Sequence, residues 1–153
     1  MSESQGVRAV LERHLQSILD CDVETYHATT VPELTLYEWY VTPHRIDGLP
    51  FHDFQMAESA RPDSPATPLD PSGRAGAAEG KRRERFDLAN YSEQVYGDCA
   101  VCSYTLLVSR AGAEGTKVRS HHETRVLVRS AGAWKVVHVH KSPAWSAPYD
   151  PTA

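Results

Sequence analysis

The fold of this protein is decided by residues 86–141, which read FDLANYSEQVYGDCAVCSYTLLVSRAGAEGTKVRSHHETRVLVRSAGAWKVVHVHK. Apolar, β-branched and aromatic side chains alternate with polar ones through much of this stretch, which is the period of a β-strand with one buried face. Glycine-containing segments interrupt the alternation at 96–98, 111–115 and 130–132, at the spacing of hairpin turns. The pattern predicts an antiparallel meander of four strands, at residues 86–95, 100–110, 117–129 and 133–141.

The chain before this meander opens with helical periodicity. Between residues 4 and 20 the apolar side chains recur every three or four positions, which predicts an amphipathic helix. Asp22 is placed to cap a second, shorter helix that runs through Tyr26 and His27. Pro32 is expected to end that helix, because the residue before a proline disfavours helical geometry.

A strand and a third helix are predicted next. Residues 33–40 change to a two-residue period, with Leu34, Leu36 and Glu38 on one face. Residues 49–59 return to helical spacing, and Pro50 is tolerated in the first turn. The side chains expected to share one face of this helix are Phe51, Phe54, Gln55 and Glu58. Helices first and strands later indicate the α+β class, with the helices packed on one side of a curved antiparallel sheet and a pocket between them.

A segment rich in proline and glycine separates the third helix from the meander. Residues 61–80 contain four prolines and three glycines, which predicts a flexible surface excursion. The basic run at 81–83 is either an anion-binding patch or a solvated loop edge. We therefore expect one domain over residues 1–145 with a flexible insertion at 61–83, followed by a C-terminal tail at 146–153.

Composition excludes several classes of function. The chain has 153 residues, 41% hydrophobic and 24% charged, with a formal net charge of -4. This balance is typical of a globular domain and provides no basic face for nucleic acid. No apolar run approaches the ~20 residues that span a bilayer, and the start lacks the pattern of a signal peptide. The sequence predicts a cytoplasmic protein with no nucleic acid, membrane or cofactor partner.

Two cysteines have the C-x-x-C spacing of redox and metal sites. Cys99 and Cys102 lie in an apolar, β-rich run with no second cysteine pair and no helix start to lower a thiol pKa. We interpret them as small buried hydrophobic residues.

Two parts of the sequence resemble the association (hub) domain of calcium/calmodulin-dependent protein kinase II. LTLYE at 34–38 followed by IDGLPFHDF at 46–54 is similar to the family's first strand and third helix, and HETRV at 122–126 with GAWKVVHVHKS at 132–142 is similar to its C-terminal strands. Weaker matches occur at 22–26 and 97–104. The stretch at 61–85 has no counterpart.

The resemblance implies a cone-shaped nuclear transport factor 2-like fold in the SnoaL-like superfamily, as a stand-alone member of bacterial type. It further implies self-assembly, as a homodimer through the sheet or as a higher ring, and a pocket lined by arginines that accepts small carboxylates. Lys141 and Leu106 stand where the family carries arginine. The pocket is therefore expected to be less cationic and more apolar than in the family.

Four residues are the candidate ligand-binding set: Arg125, Lys141, His52 and Tyr104. Arg125 lies mid-strand, so it must face a polar cavity or pair with an acid such as Glu123 or Glu38. His52 matches the family's Phe-His element, and it either hydrogen-bonds a ligand or packs against the first strand. By the period of two, Tyr104 shares a face with Cys102 and Leu106, as a pocket hydroxyl or as core.

His138 and His140 are predicted to share one face of the last strand, with Val137, Val139 and Lys141 on the other. Histidines at i and i+2 are typical of a metal site, which would need His121 or His122 from the neighbouring strand. The alternative is that they point outward to an interface between copies of the chain.

The superfamily resemblance also permits an enzyme. In that alternative, the protein is an isomerase, cyclase or dehydratase in which His52 or Asp53 is the general base and Tyr104 or Arg125 stabilises an enolate. A scaffold with a vestigial pocket is a third possibility, because fold alone does not determine function.

Overall fold

A computed structural model describes residues 6–61 and 84–145. Apart from Arg61, the predicted insertion at 61–83 lies outside the described residues, as does the tail at 146–153. No helix in the described ranges is long and apolar enough to cross a membrane. The elements are α1 (Val7–Leu19), α2 (Val23–Ala28), β1 (Thr30–Glu38), β2 (Ile46–Asp47), α3 (Pro50–Ser59), β3 (Glu84–Tyr96), β4 (Cys99–Gly112), β5 (Gly115–Ser130) and β6 (Ala133–Pro143).

The strands form one six-stranded sheet in the order β2-β1-β6-β5-β4-β3. Strands β3 to β6 are the predicted antiparallel meander. β1 pairs with β6 at the edge of the meander opposite β3 and runs parallel to it. The sheet is therefore mixed, whereas the sequence predicted an antiparallel sheet. The α+β class with the helices packed on the sheet is confirmed.

The helices cover one face of the sheet, which we call the inner face. α1 packs against β3 and β6, and α2 packs against β1. The inner-face positions of the strands alternate with more exposed ones, as a half-buried sheet requires. The apolar core between helices and sheet includes Leu11, Leu15, Met56, Leu34, Leu36, Leu106, Leu127, Val136 and Val139.

The prediction that Pro32 ends the second helix is wrong. α2 ends at Ala28, and Pro32 lies within β1. The helix ends earlier because the hydroxyls of Thr29 and Thr30 donate to carbonyls of its last turn. Pro32 is tolerated in the strand because it falls between Thr30 and Thr35, where the pairing with β6 is irregular.

The predicted third helix is present, but the face that carries Phe51 and Phe54 is not its buried face. His52 and Met56 are the buried residues of α3, whereas the Phe54 side chain is 65% exposed and Phe51 is half-buried. The polar contacts of His52 described below hold it against the sheet. Tertiary contacts therefore override the apolar spacing in this helix.

Candidate functional site

A group of buried polar side chains lies between the helices and the inner face of the sheet. All of them are at most 7% exposed, in a region where an unpaired charge would be strongly unfavourable. α1, α2 and α3 contribute one residue each, and the strands contribute the rest. We call this group the inner polar cluster: His14, Tyr26, Glu38, His52, Tyr104, His121, Glu123, Arg125 and Lys141.

Arg125 is held by an acid on its own strand and by a tyrosine on the next. Glu123 and Arg125 are two positions apart on β5, and Tyr104 on β4 is the cross-strand partner of Glu123. Arg125 Nε donates to the Tyr104 hydroxyl at 2.9 Å, and that hydroxyl donates to Glu123 Oε2 at 2.7 Å. Arg125 Nη2 lies 3.1 Å from the same carboxylate oxygen. The predicted alternative of a pair with Glu123 is therefore what the structure contains.

This ion pair keeps both groups charged despite burial. Burial alone would lower the pKa of Arg125, but Glu123 and Tyr104 raise it above its ordinary value. Burial alone would raise the pKa of Glu123, but Arg125, His121 and Lys141 hold it well below its ordinary value. His121 contributes through its Nε2, 2.8 Å from Glu123 Oε1.

A second buried ion pair joins β1 to β6. Glu38 and Lys141 are register partners across the parallel pair of strands, and Lys141 Nζ donates to Glu38 Oε1. Lys141 Nζ is also 4.0 Å from Glu123 Oε1, which connects the two ion pairs. Burial alone would raise the pKa of Glu38, but Lys141 and His52 lower it to about 2.

His52 connects the cluster to the helices. Its Nδ1 is hydrogen-bonded to the Tyr26 hydroxyl, and its Nε2 lies 3.5 Å from Glu38 Oε1. Burial lowers the pKa of His52, although Glu38 opposes this shift. Asp53 lies away from the cluster and pairs with His27 Nε2 at 2.7 Å, with about a third of its side chain exposed. The structure thus brings His52, Tyr104, Arg125 and Lys141 together in one cluster but separates Asp53 from them.

Sequence reasoning missed His14, which the structure places beside Arg125. Its Nδ1 lies 3.0 Å from the Thr29 hydroxyl and 3.2 Å from that of Thr30, and both hydroxyls donate to carbonyls of α2. Each hydroxyl has thus used its one proton and can only accept a hydrogen bond from His14. The ring proton of His14 is therefore on Nδ1. Nε2 is left to accept from Arg125 Nη1 at 2.7 Å. Burial and the Arg125 charge lower the pKa of His14 well below its ordinary value.

The signal that could have found His14 is its position within the apolar stripe of α1. Val10, Leu11, Leu15 and Ile18 surround position 14 on the buried face, and a polar residue there requires a partner in the core. Tyr26 is likewise the only buried residue of α2. Helical periodicity places Tyr26 in α2 but assigns no role to its phenol.

The opposite side of the sheet, which we call the outer face, has a different composition. Its central positions line up across the strands in two rows. No helix of the described residues packs on it. Its residues are Thr35, His138, Val126 and Val101 in one row, and Tyr37, His140, Thr124 and Ser103 in the other.

His138 and His140 lie on this outer face, as predicted. His138 Nδ1 is 2.8 Å from the Thr35 hydroxyl, and the His140 ring lies 5.4 Å from that of Tyr37. Val137 falls at an irregularity in the pairing with β5, so it is half-buried rather than aligned with Val139. His121 is in the inner polar cluster, on the other side of the sheet. Within residues 6–61 and 84–145 no group of three or more histidine, cysteine, aspartate or glutamate residues is placed to hold a metal ion.

The two cysteines of the C-x-x-C spacing also lie on different sides of the sheet. Cys102 is buried on the inner face, and Cys99 is half-buried three positions away on β4. Both are free thiols. The interpretation of Cys102 as a buried apolar residue is confirmed, whereas Cys99 is only partly covered.

This arrangement, with helices on one face of a mixed sheet and a polar cluster between the two layers, is the fold of nuclear transport factor 2-like proteins of known structure. A nuclear transport factor 2 (NTF2-like) superfamily protein from Salmonella enterica serovar Typhimurium has this fold. It superposes with a TM-score of 0.62 at 18% identity, over 93% of this chain and 92% of that one. This likeness shows the fold alone.

The chain belongs to the calcium/calmodulin dependent protein kinase II association domain family. The family's model matches residues 3–65 and 77–145, and the unmatched residues 66–76 lie within the predicted insertion. The structure of the kinase II hub homology domain from Chlamydomonas reinhardtii superposes with a TM-score of 0.73 at 25% identity, over 91% of this chain and 96% of that one.

The chain is also similar to part of a longer kinase subunit. The chain is 24% identical over 151 residues to the delta subunit of calcium/calmodulin-dependent protein kinase type II from Oryctolagus cuniculus. The match covers 98% of this chain and 25% of the kinase subunit, so the chain spans about a quarter of that relative's length.

Proposed function

We propose that this protein is a self-assembling domain in which two copies pair through the outer face, while the inner polar cluster binds a small molecule. The single observation that carries the pairing is the composition of the outer face. Relatives described as an association domain and as a hub support the same reading. A cytoplasmic location stays a prediction of the sequence alone.

The outer face has the composition of an interface rather than of an ordinary surface. None of its eight residues is an aspartate, glutamate, lysine or arginine. The rows continue into β3 at the uncharged Ser92 and Gln94, and at the other edge one row ends on β2 at Asp47, which pairs with Arg45. Depletion of charge at the centre of a patch, together with aromatic residues such as Tyr37, distinguishes interfaces from the rest of a protein surface. A second copy is the occupant that we propose, because relatives are described as an association domain and a hub, and a two-fold pair needs only one such patch on each copy.

A charge placed at the centre of this face should separate the copies. Val126 is half-buried on β5 and pairs with Val101, so Val126→Asp would force an unpaired carboxylate into the proposed interface. We expect Val126→Asp to sediment as a monomer at concentrations where the unmodified protein is assembled. Sedimentation velocity measures this directly.

Val95→Asp is the matched control. Val95 is 49% exposed on the edge strand β3 and lies outside the outer-face rows. We expect Val95→Asp to sediment with the unmodified protein. If both variants lose assembly to the same extent, or if both stay assembled, the assignment of the interface to the outer face is contradicted.

The proposed ligand-binding residues are Arg125, Lys141, His52 and Tyr104. They meet between the helices and the inner face, and a few convergent polar groups surrounded by apolar side chains are typical of small-molecule sites. Their polar atoms already contact Glu123, Glu38 and Tyr26. A ligand must therefore add to, or exchange with, these internal partners rather than enter an empty cationic pocket.

A second candidate function is the cofactor-independent isomerase, cyclase or dehydratase. The observation that favours it is the chain of contacts from Tyr26 through His52 to Glu38, in which an imidazole of lowered pKa sits between a phenol and a carboxylate. His52 is the better candidate base, because Asp53 is outside the cluster. If the protein catalyses an isomerisation, cyclisation or dehydration, loss of that turnover in His52→Gln but not in Asp53→Asn would support this candidate. Turnover that survives in both variants would reject it.

A further inference from the structure

The charges of the inner polar cluster cancel. Arg125 and Lys141 are its two cations, and Glu38 and Glu123 are its two carboxylates, each within an ion pair. His14 is held neutral by the hydrogen bonds that it makes through both ring nitrogens. The two cations and the two carboxylates together have no net charge. Leu106, the apolar neighbour of Tyr104 on the inner face, adds none.

Two buried polar atoms of the cluster have no hydrogen-bond partner among residues 6–61 and 84–145. They are Oε2 of Glu38, which can only accept, and Nη2 of Arg125, which can only donate. Arg125 Nη2 is within ion-pair distance of Glu123 but without hydrogen-bond geometry. Both side chains are 1% exposed. Buried polar groups of this kind are normally satisfied, so each unpaired atom indicates a missing partner.

The unpaired atoms differ in what they require. A carboxylate would satisfy Arg125 Nη2, but it would bring a third negative charge close to Glu38 and Glu123 with only two cations to balance it. An ammonium group would satisfy Glu38 Oε2 and create the opposite imbalance beside Arg125 and Lys141. In a buried site each imbalance is unfavourable, because charges interact strongly at low dielectric. A neutral group that carries both a hydrogen-bond donor and an acceptor can satisfy both atoms without either charge imbalance.

We propose that the inner polar cluster binds a small neutral molecule that carries both a hydrogen-bond donor and an acceptor, such as a primary amide, in preference to a carboxylate. Its carbonyl oxygen accepts from Arg125 Nη2, and its N–H group donates to Glu38 Oε2. This inference rests on the proposed function, since it names the chemical class of ligand for the same residues.

Acetamide and acetate are the probes, because they have nearly the same shape and differ in charge. At pH 8, with ionic strength matched by sodium chloride, we expect acetamide to raise the melting temperature of the full chain. We also expect it to shift the NMR resonance of the Arg125 side-chain N–H groups. Acetate should do neither. A larger effect of acetate would overturn the inference and leave small-ligand binding standing.

Glu38→Gln tests the charge argument itself. The variant leaves the cluster with one excess positive charge, so the preference between the two probes should invert in favour of acetate. An unchanged preference for acetamide would contradict the charge argument. If the variant does not fold, the comparison of the two probes on the unmodified protein still decides the question.

Two further outcomes separate this inference from the proposed function. No effect of either probe on the unmodified protein would reject both the inference and ligand binding by the cluster, with ordered water as the partner of the two atoms. The assembly state of the same samples, measured by sedimentation, reports on pairing independently of any ligand.

Discussion

Strand β5 has opposite chemistry on its two faces. Toward the helices it presents His121, Glu123 and Arg125, all at most 2% exposed and all bonded within the inner polar cluster. Away from them it presents Thr124 and Val126, which are half-buried and uncharged. Because successive side chains point to opposite faces, one strand serves a closed polar network and a surface suited to pairing. Charged residues are therefore placed in the interior of this protein and withheld from the centre of its outer face.

The largest effect is expected from breaking the inner network at Arg125. Arg125→Met leaves the Glu123 carboxylate buried without its main cation, and removal of one partner of a buried ion pair typically destabilises by about 3–5 kcal/mol. We expect a loss of this size in the free energy of unfolding, measured by urea denaturation at pH 7.

Arg129→Met is the control on the same strand. Arg129 is 42% exposed and lies 3.7 Å from Asp98, so its loss should change stability by less than about 1 kcal/mol. Similar losses in the two variants would show that Arg125 is not part of a closed network.

A smaller effect is expected from removing one hydroxyl on each face. The Tyr104 hydroxyl bonds both Glu123 and Arg125, so Tyr104→Phe should destabilise by about 1–3 kcal/mol. Tyr37 on the outer face is 38% exposed, and Tyr37→Phe should change stability by less than about 0.5 kcal/mol. Urea denaturation of both variants under monomeric conditions measures the difference. If Tyr37→Phe lost more stability than Tyr104→Phe, the conclusion that the closed polar network lies on the inner face would be contradicted.

Near neutral pH the smallest effect comes from His14, which makes stability depend on pH. Its pKa is lowered in the folded protein, so below its unfolded value of about 6.5 the unfolded chain binds a proton that the folded chain does not. The contribution of His14 is therefore fully present above that pH and is lost as the pH falls. The slope from one such group is at most about 1.4 kcal/mol per pH unit.

His14→Gln tests this origin, because an amide can still accept from Arg125 and donate to a threonine hydroxyl. We expect the stability of the variant to fall less steeply between pH 7 and pH 5, as measured by urea denaturation. His52, whose pKa is also lowered, keeps part of the slope in both proteins. An identical slope in the variant would exclude His14 as a contributor.

Much of the fold followed from local periodicity. The four strands of the meander and the first and third helices are present with shifts of a few residues at their ends. The parallel pairing of β1 with β6 was not predicted, because alternation shows that a segment is a strand but not which strand it joins. Pro32 was misplaced for a related reason, since an irregularity in pairing is invisible until the partner strand is known.

The candidate site was predictable where a charged or polar residue stands out against the apolar pattern of its strand or helix. Arg125 in the middle of an apolar strand required a partner, and the sequence offered Glu123 two positions away. The pair of Glu38 with Lys141 depends on the parallel register, which the sequence did not provide. His14 and Asp53 show the remaining difficulty. Whether a polar side chain on a helix enters the core depends on how that helix is rotated against the sheet.

The most direct test of self-assembly, on which the role of the outer face depends, is the mass of the unmodified protein in solution, measured by multi-angle light scattering. The chain mass is 17.0 kDa, and we predict an assembly whose mass is a whole multiple of this value, beginning with the dimer. A mass of one chain at every concentration tested would contradict self-assembly and with it the role of the outer face.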